Sequence, residues 1–202
     1  MIDKTIANLE KHNFTVHRAA SAEEAKKIIL DLIPHKSTIG LGGSITILQA
    51  GILDALRAGD YRLLDQYEPG ITAEENMRRR RDGMTAQFYV TGVNAVSEEG
   101  ELFYLDGIGN RVAAVSFGPE KVIIVTSTKK IVPDEKAAWK RIRERAAPPN
   151  AVRFGADVPC VASGKCVDCD SPDRICNAYL RIHRVRDKDR FRIILVDEDL
   201  GF

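Results

Sequence analysis

Phe14-Thr15-Val16-His17, Ser21-Ala22-Glu23-Glu24 and Ser37-Thr38-Ile39-Gly40-Leu41-Gly42-Gly43-Ser44 follow one another near the start of the chain. The first is a short β-prone run. In the second, Ser21 and Glu24 form a capping box, in which each residue's side chain satisfies a free backbone N–H of the other. Ala25, Ile28, Ile29 and Leu32 then make one helical stripe, which Pro34 ends. The third is another short strand. It runs into a glycine-rich turn and a second helical pattern, Ile45, Leu48, Ile52 and Leu56. Strand, helix, strand, helix is the rhythm of an α/β sheet.

The neighbouring segments extend this rhythm. Upstream, Ile2, Ile6 and Leu9 share a helical face. Downstream, Thr72 and Glu75 cap a helix that carries Arg78 to Arg81, and Gln87 to Thr91 is a strand. Asn94-Ala95-Val96 and Glu101 to Leu105 form a hairpin around Ser97-Glu98-Glu99-Gly100. Arg111 to Phe117 is expected as a further strand, and the apolar, β-branched run Lys121 to Thr126 suits a sheet centre. Pro133 and Asp134 open a helix reaching about Arg145, where Ala147-Pro148-Pro149-Asn150 is expected to break it. Arg192 to Val196 is the last strand. The expectation is one α/β domain over residues 1–202 with a mixed sheet. Residues 158–178 form a cysteine-rich segment packed on it.

The bulk numbers are those of an ordinary globular domain, 44% hydrophobic and 29% charged. A formal net charge of +1 gives no reason to expect nucleic acid or an anionic membrane as partner. Arg78-Arg79-Arg80-Arg81 does not change this: Glu74 and Glu75 precede Arg78 and Arg79 by four residues, as ordinary helix-face pairs do. The start carries charges throughout rather than an apolar targeting core, and no run has the length of a membrane span. A cytoplasmic protein is therefore expected. The four histidines are scattered, without ligand spacing.

Four cysteines are spaced Cys160-x5-Cys166-x2-Cys169-x6-Cys176. A reducing compartment disfavours structural disulfides, so clustered thiols are read as ligands. Two intervening residues let Cys166 and Cys169 turn toward one ion. Four thiolates can fill a tetrahedral zinc site or hold one iron–sulfur cluster, and the spacing alone does not choose between them.

Two further stretches carry candidate ligand-binding residues. A strand feeding Gly42-Gly43-Ser44 and a helix start presents backbone N–H groups to an anion; a tight turn with a helix cap accounts for it equally. Asn94, Asp106, Asn110 and Arg111 stand beside glycines at strand ends, with Arg111 suited to clamp a carboxylate or phosphate. Turn chemistry explains Asp106-Gly107 and Gly109-Asn110 as well.

At Thr91-Gly92-Val93-Asn94-Ala95-Val96, Glu99-Gly100, Asp106-Gly107-Ile108-Gly109-Asn110-Arg111-Val112-Ala113-Ala114 and Gly118-Pro119 the chain resembles the LUD (lactate-utilisation) domain family. Gly42-Gly43-Ser44, Lys130-Ile131-Val132 and Arg145 to Ala151 continue the likeness. It is closest to the short, single-domain branch with a C-terminal cysteine cluster. The resemblance implies an α/β/α sandwich like that of the glucosamine-phosphate isomerase, ribose-phosphate isomerase and CoA-transferase group. It also implies a role in lactate use beside an iron–sulfur oxidoreductase subunit, which favours an iron–sulfur cluster over zinc. The compact ferredoxin-type cysteine runs of the larger iron–sulfur subunit are missing here, so four cysteines make at most one ordinary cluster and no relay. Two other readings stand beside this redox-accessory role. One is a non-redox enzyme or binding protein for a small anionic metabolite, with structural zinc. The other is a scaffold or regulatory subunit of an oxidoreductase complex.

Overall fold

Residues 1–202 are described by a computed structural model. The first half of the chain runs α1 (Ile2–Lys11), β1 (Thr15–Ala19), α2 (Ala22–Leu32), β2 (Thr38–Leu41), α3 (Ile45–Gln49), α4 (Ile52–Ala58), β3 (Arg62–Leu64) and α5 (Ala73–Asp82). It continues with β4 (Phe88–Gly92), β5 (Ala95–Ser97), β6 (Leu102–Asp106), α6 (Asn110–Ser116), β7 (Lys121–Ser127) and β8 (Ile131–Val132). The last part is α7 (Glu135–Arg141), α8 (Ala147–Phe154), α9 (Pro159–Ser163), β9 (Ala178–Ile182) and β10 (Phe191–Val196).

The α/β class expected from the sequence is the class observed. The main sheet has six strands in the order β1-β10-β7-β4-β2-β3, every pair parallel. The mixed pairing is confined to a second sheet, β8-β5-β6-β9, where β6 runs antiparallel to both neighbours and β5 pairs parallel with β8. The main sheet is buried on both faces, which is why β7 and β10 read as nearly unbroken apolar runs. Alternate residues serve two cores. Ile123, Val125, Ile194 and Val196 pack with Ile29, Ile47 and Ile52 of α2 to α4. Val122, Ile124, Ile193 and Leu195 pack with Leu9 of α1, Val115 of α6 and Leu102 and Tyr104 of the second sheet. One outer layer of the sandwich is thus helical, and the other is built largely from the small sheet. The far side of that sheet is covered by α7: Phe103 and Ala95 pack with Ala138 and Ile142, and Phe103 meets Trp139 edge-on at 5.2 Å. No helix is long and apolar enough to cross a membrane.

Besides the single helical pattern over Ile45 to Leu56, which Gly51 at φ 64° splits into α3 and α4, two segments differ from the sequence reading. Residues Arg111 to Phe117, expected as a strand, form helix α6. Gly109 takes φ 82°, and the Asp106 carboxylate then accepts from the N–H groups of Arg111 and Val112 at 2.9 and 3.3 Å. The buried set Arg111, Ala114 and Val115 has helical, not alternating, spacing. Second, Pro148 and Pro149 do not break the chain. They occupy the first turn of α8, where a proline has no N–H to lose. A π-helical turn at Ile142–Ala146 carries α7 into α8 without a gap.

Candidate functional site

The turns that follow β2, β4 and β7 meet at the carboxyl edge of the main sheet, where parallel α/β sheets bind their ligands. A cleft of about 720 Å³ opens there, within the usual range for a small-molecule site. Gly43, Ser44, Asn94, Asp106, Asn110 and Arg111 all line it. Gly42 does not line it but lies behind, where a Cβ would stand 2.1 Å from Thr91 Oγ1. Its glycine identity lets β2 and β4 close on each other.

Arg111 is the structural hub of the cleft. The residue is 8% exposed. Its Nη2 donates to Asn94 Oδ1 at 2.9 Å and to the Leu105 carbonyl at 2.7 Å, and its Nη1 donates to the Gly43 carbonyl at 3.3 Å. Two turns and the end of β6 are joined by one guanidinium. Nε has no hydrogen-bond partner, and Asp106 Oδ1 lies 3.9 Å from it. Of the five N–H donors on a guanidinium, Nε is buried without a partner, which leaves one Nη1 proton beyond the bonds named. Asn94 Oδ1 also accepts from the Leu105 N–H at 3.0 Å, so this amide is oriented by the fold. Ser44 caps α3 through the Ile47 N–H, and its own N–H donates to Tyr67 Oη at 2.9 Å. Its Oγ sits against Gly92, at 2.4 Å from where a Cβ would be. Asp106 is occupied as the cap of α6.

Sequence reasoning did not place Arg80, Lys130 or Arg153 here, yet all three line the cleft. Arg78 and Arg79 are ion-paired with Glu75, as helix-face pairs are, but Arg80 turns to Asn76 and the cleft. The lining then holds four basic side chains, the arginines Arg80, Arg111 and Arg153 together with Lys130, against two carboxylates, Asp106 and Asp173. A concave site with that balance concentrates anions.

The four cysteines line a second, smaller and mostly apolar pocket. No group of three or more His, Cys, Asp or Glu side chains is placed to hold a metal ion. The thiols share a pocket without converging on one point. The local backbone suits ligation all the same. Asp168, between Cys166 and Cys169, takes φ 50°, a conformation aspartate tolerates, and its N–H points at Cys166 Sγ at 3.4 Å. Arg174 braces the loop: it donates to the carbonyls of Cys169 and Cys176 and to Asp168 Oδ1. Burial first, and the neighbouring thiols second, push Cys176 up to about 11 and raise Cys160. A bound cation would relieve this repulsion by displacing the protons. The donor set thus has the chemistry of a four-thiolate site, with the thiols lining one pocket and not converging on a common point. Arg174→Ala is expected to loosen this loop selectively. Limited proteolysis between 165 and 172 should speed up, while the midpoint of thermal unfolding stays nearly unchanged.

The cysteine pocket adjoins the cleft. Ala147 and Ile175 line both. Asn177 stitches the segment to the Asp106–Gly107 turn, its N–H donating to the Asp106 carbonyl and its Nδ2 to the Gly107 carbonyl, at 3.0 and 3.1 Å.

The family model described as the LUD domain matches residues 2–196. The chain belongs to the LUD-domain family. Among solved structures, this LUD domain is similar to a DUF162 family protein from Deinococcus radiodurans. The two are 15% identical with a TM-score of 0.52, over 96% of this chain and 95% of that one; this likeness is one of fold. Two partial likenesses have lower scores. The delta subunit of eIF2B from Chaetomium thermophilum is 18% identical with a TM-score of 0.38, over 68% of this chain and 55% of that one. Ribose 5-phosphate isomerase A from Neisseria gonorrhoeae is 16% identical with a TM-score of 0.35, over 58% and 57%. No curated protein matches the chain in sequence.

Proposed function

We propose that this LUD domain binds a small anionic metabolite, a carboxylate or a phosphate ester, in the cleft at the carboxyl edge of its main sheet. The observation that carries this reading is the gathering of Arg80, Arg111, Lys130 and Arg153 around a cavity with only two carboxylates. The cavity of about 720 Å³ is in the range of sites for drug-sized ligands, larger than a three-carbon acid requires. Thermal unfolding with inorganic phosphate, L-lactate, pyruvate and sugar phosphates tests it. A ligand at about 100 times its Kd should stabilise the protein by about 2.7 kcal/mol. Arg80→Ala and Arg153→Ala, at partly or fully exposed positions, should weaken binding with little loss of intrinsic stability. If no anion raises the midpoint, the reading fails.

A second reading is favoured by the shared wall. With Ala147 and Ile175 between the cysteine pocket and the cleft, an iron–sulfur cluster on Cys160, Cys166, Cys169 and Cys176 would lie next to a bound 2-hydroxy acid. In that case the protein is a redox component of lactate utilisation. One cluster with four thiolates cannot form a relay alone, so an iron–sulfur oxidoreductase subunit would take the electrons onward. Anaerobic purification followed by metal and sulfide analysis separates this from the zinc reading. Brown protein with iron and sulfide in stoichiometric amounts supports it; colourless protein with one zinc per chain sinks it. Cys166→Ser should lose the metal in either case.

A further inference from the structure

Lys130 is the one buried lysine of the structure, 4% exposed, at the start of β8 on the cleft wall. It makes no ion pair: no carboxylate lies within 4.0 Å of its Nζ. Nζ donates to Thr46 Oγ1 at 2.9 Å and points to the Val93 carbonyl at 3.5 Å. Gly201 packs directly over it, where a Cβ would come within 2.7 Å. The charged groups that face it come from three sides. Arg141 of α7 and Arg111 of α6 oppose its charge, and Asp199, after β10, favours it. Burial first, and the two arginines after it, bring its pKa down to about 7. A neutral amine has two N–H donors, enough for Thr46 and Val93, so the unliganded pocket is satisfied without a charge.

An anion in the cleft reverses this balance, because a negative charge within about 4–6 Å favours the ammonium form. Resting on the anionic-metabolite reading above, we propose that Lys130 is the charge-matching residue of the cleft: Nζ takes up a proton from solvent as a carboxylate or phosphate ester binds. Binding and protonation are then one coupled event. Affinity falls as the pH rises above neutrality, since the proton must then be drawn from a more alkaline solvent.

Calorimetric titration of the full chain tests this, with sulfate and L-lactate as probes at pH 7.5, neither of which changes its own protonation there. Two buffers of different ionisation enthalpy are used, so that a change in protonation appears as a buffer-dependent heat. Roughly half a proton or more should be taken up per ligand bound, from the linkage of binding to protonation. Lys130→Arg, always charged, should bind with little or no proton uptake, and Lys130→Met should bind at least tenfold more weakly. A titration of the wild type followed by the lysine Cε resonances gives a readout independent of both variants. One lysine should titrate near neutrality and move upward with the probe. Binding with no buffer dependence overturns the coupling and leaves the cleft's ligand reading intact. Uptake that survives in Lys130→Arg overturns it too, by assigning the proton elsewhere. If neither probe binds and no other anion raises the unfolding midpoint, the coupling and the cleft's ligand reading both fall.

Discussion

Arg111→Ala is expected to destabilise the protein by about 3–4 kcal/mol, the range seen when a buried, hydrogen-bonded charge loses its partner. The loss has identifiable parts. Hydrogen bonds to a charged donor contribute about 1.5–3 kcal/mol each, and the guanidinium makes three, to Asn94, Leu105 and Gly43. Their removal leaves the Leu105 carbonyl without a cationic donor in a buried setting. It also frees Asn94, whose Oδ1 then keeps only the Leu105 N–H. Relief of the desolvation of one buried cation offsets part of this, which keeps the net below the sum. Arg111→Lys should not recover the full loss, because one ammonium cannot reach three acceptors in the fork geometry of arginine. Urea unfolding monitored by circular dichroism measures both. A loss below about 1 kcal/mol, the level of a neutral surface change, would show that Arg111 serves only the ligand.

The second large effect separates two adjacent glycines. Gly42→Ala should cost about 2–3 kcal/mol, the upper part of the range for overpacking a core. Its Cβ would meet Thr91 Oγ1 at 2.1 Å and Thr91 Cβ at 2.6 Å. Thr91 is fully buried in β4 and β-branched, so it has no free rotamer to yield into. Gly43→Ala should leave stability within about 0.5 kcal/mol, since the nearest atom to its Cβ is Tyr67 Oη at 3.9 Å. Its methyl projects at the cleft lining and should weaken anion binding instead. Paired measurements of unfolding and of ligand-induced stabilisation give the contrast. Equal destabilisation by both substitutions would contradict the packing described for Gly42.

Much of the fold was legible because its elements advertise themselves locally. Ser21 and Thr72 cap α2 and α5 as expected, each hydroxyl accepting from the N–H three residues on, but the reciprocal half of each box is not made: Glu24 accepts from the Ala20 N–H, and Glu75 pairs with Arg78 and Arg79. The apolar runs at β7 and β10 announce buried parallel strands. Other elements carry weaker marks. Strand β9, Ala178–Ile182, alternates between half-buried and exposed residues, and its identity comes from pairing with β6. Residues 111–117 have a composition that suits strand or helix. The choice falls to Gly109 and to the Asp106 carboxylate, a cap supplied from the end of another strand.

The α/β rhythm, the family motif around Asn94 to Arg111 and the four thiols with their spacing were determined by the sequence alone, because each is written in residues close together along the chain. Tertiary structure decided what meets at the cleft. Lys130, Arg80 and Arg153 come from the turn between β7 and β8, from α5 and from α8, and no periodicity within those segments points at Ser44 or Arg111. Lys130 reaches the cleft because it follows the carboxyl end of β7, at the edge where parallel sheets bind their ligands, while Arg80 and Arg153 reach in from the last turns of α5 and α8. Only there does burial strip Lys130 of a counter-ion and Arg111 of solvent, and so turn ordinary cations into a site.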